Sequence, residues 1–289
     1  MILITGASGT AGRAVMKEVA KSGAKHRAMY RSSAEAAKAP SGTETVIADF
    51  AKKDTLGAAL RDVDRVYLVC SPIPELVELE GNMIDACLEA GVKHVVLNSA
   101  MGAADYEKSF PSWHRKVEDK LRGTRLSWTI LRPNSFHQNT LTYYAPSIRA
   151  EGAFYGAMGN ARVSFLDISD IAAVATNTLR DDGHAGKVYE LNGPEALTYT
   201  ELAEKMARHA KRPVQYVNIP VEAQRKSMLE QGMPQWQVTA LLDLQQYYVN
   251  GQGGNTDGVL EGLLGRAPIT MDQFLEENRA DFREQAARA

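Results

Sequence analysis

The chain has 289 residues, 44% hydrophobic and 24% charged, which is the balance of an ordinary globular protein with one large or two unequal domains. Lys and Arg number 33 against 35 Asp and Glu, so no basic surplus recommends nucleic acid as a partner. Apolar runs such as residues 66–70 are far too short to span a bilayer, and Cys70 and Cys87 supply neither a disulfide framework nor a zinc set.

The first residues enter a strand pattern directly, so no leader segment and a cytoplasmic location are expected. Residues 2–5 read as a strand and 12–22 as a helix, with Ala14, Val15, Val19 and Ala20 on one side. Further strands are expected at 26–31, 45–49, 65–70 and 94–98, with helices at about 53–60 and 76–90. Gly91 lies just past the last of these, where a helix-ending glycine belongs. A helix over 111–122 then leads to a sixth strand at 128–132. Strands separated by helices at this spacing build a parallel sheet with right-handed crossovers. The expected fold is α/β, a doubly wound parallel-sheet Rossmann domain over residues 1–150.

Residues 163–167 and 188–191 read as further strands, in a segment at about 163–192 that returns to that domain. Ser169 or Asp170 caps a helix that runs to Arg180, and Thr198 or Thr200 starts another that runs to Ala210. Residues 193–289 are mostly helical, with punctuation at Pro213, Pro220, Pro234 and 251–254, and read as a smaller substrate-binding lobe.

The motif with the most chemical content follows the first strand and opens the first helix. Gly6 permits a tight turn, Gly9 lets the backbone approach a pyrophosphate, and Gly12 allows close helix–strand packing. Ser8, Thr10 and Ala11 complete the turn, and the helix start offers free N–H groups to phosphates. An NAD site would carry an acid at the end of the second strand, but Tyr30, Arg31, Ser32 and Ser33 include none. Arg31 suits a 2′-phosphate, so NADP(H) is the expected cofactor; NAD(H) stays open because the choice rests on that one arginine. Asp49 and Phe50 are expected to bracket the adenine, and Ser71 and Pro72 to line the path to the nicotinamide ribose. No metal is expected.

The G-x-x-G-x-x-G spacing resembles the short-chain dehydrogenase/reductase superfamily in its extended and atypical branches. A typical member places a serine where Ser99 stands and a Tyr-x-x-x-Lys pair on the next helix. Here those two positions hold His114 and Glu118, four apart on one helical face, and they are expected to pair. With the His-x-x-x-Glu helix, the run from Leu126 to Phe136 and the closing segment 271–282, the chain resembles the NmrA-like atypical family. That resemblance implies hydride transfer from NADPH to a quinone or a cationic dye. Such acceptors are already electrophilic, so a weak acid such as His114, titrating near neutral pH, would suffice beside Ser99. Without a tyrosine partner, Ser99 is expected as a contact to the nicotinamide of the cofactor as well as a catalytic candidate. Met101, Asn134, Phe136, His137 and Trp236 are the expected substrate contacts. Partners are a small aromatic or quinone acceptor, with neither nucleic acid nor membrane, and a monomer or homodimer is expected. The family also includes regulators that bind NADP(H), do not turn over, and act on a protein partner; the missing Tyr/Lys pair keeps that alternative open.

Overall fold

The structure is a computed structural model that describes residues 1–283. In chain order its elements begin β1 (Ile2–Ile4), α1 (Thr10–Lys21), β2 (His26–Tyr30), α2 (Ser33–Ala36), β3 (Glu44–Ile47), α3 (Leu56–Ala59), β4 (Arg65–Leu68), α4 (Leu76–Glu89), β5 (His94–Asn98), α5 (Ser109–Arg122) and β6 (Ser127–Pro133). They continue with α6 (Asn139–Tyr143), α7 (Ala145–Glu151), β7 (Ala153–Gly156), α8 (Ile168–Arg180), β8 (Lys187–Leu191), α9 (Tyr199–Ala210), β9 (Gln215–Asn218), α10 (Val221–Glu230), α11 (Gln235–Val249), α12 (Val259–Leu264) and α13 (Met271–Glu277).

The main sheet has seven strands in the order β3-β2-β1-β4-β5-β6-β8. β1 pairs in parallel with β2 on one side and β4 on the other, Ile4 lying opposite both Ala28 and Tyr67. The pairs β2–β3, β4–β5 and β5–β6 are parallel as well. The strand order reverses at β1, so the carboxyl ends of β1 and β4 flank the crevice where this fold takes ligands. This is the expected doubly wound architecture.

The chain divides into two compact units. The first holds Met1–Pro133 and Ile168–Glu190; the second holds Asn134–Asp167 and the described residues from Leu191 onward. The division falls after Pro133 and not near 150, because the chain beyond β6 spends its backbone hydrogen bonds within the second unit. Asn134 N–H donates to Leu191, His137 N–H to Leu166, and Leu166 N–H to Ser135.

In the first unit the apolar core lies between the sheet and α4 and α5. Leu3, Val66, Leu68, Val95 and Leu97 meet Met83, Ile84 and Cys87 of α4 and Val117 and Leu121 of α5. Cys87 is buried and Cys70 half-buried, both free thiols. The helix expected at 53–60 divides into a 3-10 turn, Lys53–Thr55, and the short α3.

The second unit departs further from expectation. Residues 163–167 form no strand, only isolated bridges of Leu166 to Phe136 and Val163 to Leu197. Their backbone groups are shared among Ser135, Leu197 and Gly253, so no continuous ladder can form. The unit has its own two-stranded parallel pair, β7 with β9, Phe154 opposite Tyr216. Phe154 is wholly buried, with the rings of Tyr144 and Tyr216 at 4.7 and 5.5 Å. Strands of four residues, about 60 positions apart, leave too little periodicity to be read from sequence. No helix among the described residues is long and apolar enough to cross a membrane.

Candidate active site

The glycine turn is closed to side chains. A Cβ at Gly12 would lie 2.2 Å from the Gly6 carbonyl oxygen, and Gly6 takes a left-handed φ of +57°. Gly9 N–H donates to Gly6 at 2.9 Å and tightens the turn. Gly9 is also the N-cap of α1 and provides no side-chain cap, so the first N–H groups of the helix have no side-chain partner there. Gly6, Gly9 and Thr10 are exposed, Ser8 and Ala11 half-buried. The geometry can cradle a phosphate, with the positive end of the helix behind it.

A further cation stands beside it. Arg13 lies in the first turn of α1, exposed, and donates to the Ser8 carbonyl at 2.8 Å. A cation at a helix start is unfavourable for the helix itself, and this one is free to meet an anion. That placement was the signal available in the sequence. Arg31 is exposed past β2, while Ser32 is spent on capping α2 through Glu35 N–H. Ser71 and Pro72 are exposed after β4. Asp49 accepts from Ala51 N–H at 3.0 Å and closes the turn after β3. Phe50 departs from the expectation of a ring free to bracket adenine: the residue is 7% exposed and packs in the apolar core of the first unit. Its carbonyl accepts from Asn82 Nδ2 at 3.0 Å.

Past β5 the arrangement differs from the one expected. No hydrogen bond or ion pair joins His114 to Glu118; instead Ser99 Oγ donates to Glu118 Oε1 at 2.6 Å. Arg132 holds the same carboxylate with two bonds, Nε to Oε1 at 2.9 Å and Nη2 to Oε2 at 2.6 Å. Arg122 adds a contact to Oε2 at 3.1 Å. Burial opposes the Arg132 charge, but the hydrogen bonds and charges of Glu118 and Glu190 together outweigh it and raise the guanidinium pKa. His114 is buried and its Nδ1 has no partner among the described residues. Burial pushes its imidazole down to about 4 against a weaker pull from Glu118. His114 is therefore a neutral ring at physiological pH and not the near-neutral acid expected.

Two residues missed by sequence reasoning complete this region. Arg132 lies near the end of β6, in its buried stretch Thr129–Pro133, and a charge there demands a partner. Glu80 lies on the core stripe of α4 with Leu76, Met83, Ile84 and Cys87, fully buried, and neither oxygen has a hydrogen-bond partner among the described residues. Burial raises its carboxyl to about 8.

The expected substrate residues are dispersed. Met101 is buried in the first unit, its N–H on the Pro133 carbonyl at 3.0 Å. In the second unit Asn134 is spent on structure. Its Nδ2 donates to Asn192 at 3.0 Å and to the Gly253 carbonyl at 2.9 Å, and its Oδ1 accepts from Ser135 N–H at 2.8 Å. His137 is wholly buried, its Nδ1 3.7 Å from Asp167 and its ring 5.3 Å from Phe274. Phe136 is half-buried, and Trp236 is exposed on α11. The second unit also holds an open cavity of about 740 Å³ beside Met158, Asn160, Asn218, Val221 and Val249; none of these expected residues lines it.

Comparison with known proteins agrees with this geometry. The model of the NmrA-like family matches residues 1–275. The NAD(P)H azoreductase of Xenophilus azovorans is 34% identical over 98% of this chain and 99% of its own length. The NADPH-dependent quinone oxidoreductase QOR2 of Escherichia coli, solved with NADPH, superposes with a TM-score of 0.89 at 28% identity, covering 96% of this chain and 99% of that one. The triphenylmethane reductase of Citrobacter sp., solved with NADP(H), shares the fold with a TM-score of 0.87 at 21% identity, covering 96% of this chain and 99% of its own.

Proposed function

The chain belongs to the NmrA-like family, and from that premise we propose that it is an NADPH-dependent reductase of a quinone or a similarly electrophilic aromatic acceptor, azo compounds included. The observation that carries the reading is the closed glycine turn, where Gly12 has no room for a Cβ and the helix start is left without a side-chain cap. The relatives support the acceptor class: their names are those of an azoreductase and a quinone oxidoreductase.

Bound NADPH would supply the hydride. The chain's own residues supply the rest. The N–H groups at the start of α1, with Arg13 and Arg31, hold the phosphates. His114, being neutral, donates an N–H hydrogen bond to an acceptor atom and polarises it without delivering a full proton. A quinone needs no more, since it is already electrophilic and takes its proton from water. The absence of a Tyr/Lys pair is consistent with this division of labour.

NADPH oxidation against a panel of benzoquinones, naphthoquinones, azo dyes and triphenylmethane dyes tests the proposal, with NADPH affinity measured in parallel. Saturable turnover on a quinone or azo dye is expected. Tight NADPH binding with no turnover anywhere in the panel would favour the nucleotide-sensing reading instead.

A further inference from the structure

Ser99 has one proton to give, and the structure shows where it goes. A hydroxyl carries one donor and two acceptor lone pairs. The Ser99 proton is directed at Glu118 Oε1 at 2.6 Å, the length of a charge-assisted bond. Glu118 is fully buried, and its two oxygens accept from Arg132 at 2.9 and 2.6 Å, so the carboxylate faces Ser99 as an acceptor. Glu190, at 3.4 Å from Arg132 Nη1, helps to fix the guanidinium from its other side. What Ser99 still offers to anything seated at the end of β5 is lone pairs.

We propose that Glu118 and Arg132 are positioning residues that fix Ser99 as a hydrogen-bond acceptor, and that Ser99 grips a donor on the nicotinamide half of the cofactor, its carboxamide N–H or a ribose O–H. Ser99 is only 2% exposed, so only a group pressed against the strand end reaches it. A cofactor ring seated at the carboxyl edge of the sheet meets that demand; a loosely held acceptor does not. A quinone oxygen is excluded on polarity, since it too is an acceptor. This inference rests on the NADPH-reductase reading and assigns Ser99 the opposite polarity to a serine that donates to a substrate carbonyl.

The test is calorimetric titration of the full-length protein and of Ser99→Ala, Ser99→Thr and Glu118→Gln with three ligands. These are NADP+, its 3-acetylpyridine analogue, which lacks the carboxamide N–H, and adenosine 2′,5′-bisphosphate, which lacks the nicotinamide half. Ser99→Ala should weaken NADP+ about tenfold, the worth of about one hydrogen bond, and leave the bisphosphate unchanged. Ser99→Thr should restore the affinity. Glu118→Gln turns an amide N–H toward Ser99, frees its proton for the ligand, and should mimic Ser99→Ala. If the acetylpyridine analogue is unaffected by Ser99→Ala, the donor is the carboxamide; if it loses as much as NADP+, the donor is the ribose. Unchanged affinity for all three ligands, or an equal loss that includes the bisphosphate, would overturn the proposal. Failure of the unaltered protein to bind NADP+ would instead overturn the reductase reading.

Discussion

Arg132 grips both carboxylate oxygens of Glu118, and the two side chains are buried together in the first unit, 9% and 1% exposed. A buried pair of this kind is costly to assemble and more costly to break, because removing one member strands the other charge away from water. Arg132→Met should therefore destabilise the protein by about 3–5 kcal/mol in chemical denaturation. Arg132→Met with Glu118→Leu should lose less than the sum of the two single changes. Strict additivity would show that the two side chains are energetically independent.

The glycine turn gives a contrast between two neighbouring positions. Gly12→Ala places a methyl 2.2 Å from a backbone oxygen, whereas Gly9→Ala meets that same oxygen at 3.3 Å. The first should cost about 3 kcal/mol of stability as well as NADPH binding. The second should leave the melting temperature nearly unchanged and weaken NADPH, since its methyl stands where the pyrophosphate approaches. Melting curves and fluorescence titrations separate the two effects; equal stability losses would contradict the geometry.

Cofactor choice should follow Arg31. A charge-assisted contact to the 2′-phosphate is worth about 1.5–3 kcal/mol, so Arg31→Ala should weaken NADPH about tenfold or more while NADH changes little. Equal losses for both cofactors would remove the 2′-phosphate assignment.

Stability should peak near pH 6.5. His94 and His114 are held neutral in the fold, each with a pKa near 4 against an ordinary 6.5. Burial is the main cause for both. The unfolded chain protonates these rings first as pH falls, so stability drops from pH 6.5 toward 4. Glu80 acts in the opposite sense. Its folded pKa is about 8 against 4.5, so the fold retains a proton that the unfolded chain has released, and stability drops as pH rises from 4.5 to 8. Between 4.5 and 6.5 two histidines outweigh one glutamate; from 6.5 to 8 the glutamate slope is left, before the buried thiols of Cys70 and Cys87 add to it at higher pH. Thermal melts across this range should show the maximum, and Glu80→Gln should flatten its alkaline side. A slope above pH 6.5 that survives Glu80→Gln would clear Glu80 of responsibility.

Turnover should be insensitive to pH through the ordinary histidine range. With His114 already neutral, kcat/KM on a quinone should stay flat between about pH 5.5 and 7.5. His114→Phe should lower kcat by about a hundredfold, and His114→Gln, which keeps an N–H donor, should recover part of that loss. A protonation step near pH 6.5 in the wild-type profile would mean that the ring titrates after all.

The closed glycine turn between β1 and α1 was legible in the sequence because its physics is local. Gly6, Gly9 and Gly12 sit at fixed offsets between one strand and one helix, and seven residues of chain suffice to build the cradle. The alternation of strands and helices through residue 133 was legible for the same reason: each element declares itself through its own periodicity. The Ser99–Glu118–Arg132 cluster was not. Helical spacing placed His114 and Glu118 on one face, but the carboxylate turned to an arginine on β6, 14 residues away in sequence, and to Ser99, 19 residues away. The neutrality of His114 and the retained proton of Glu80 follow from burial, and burial is set by which elements pack together. Spacing along the chain determined which residues could be neighbours; desolvation and partner choice in the folded unit decided what charge each one carries.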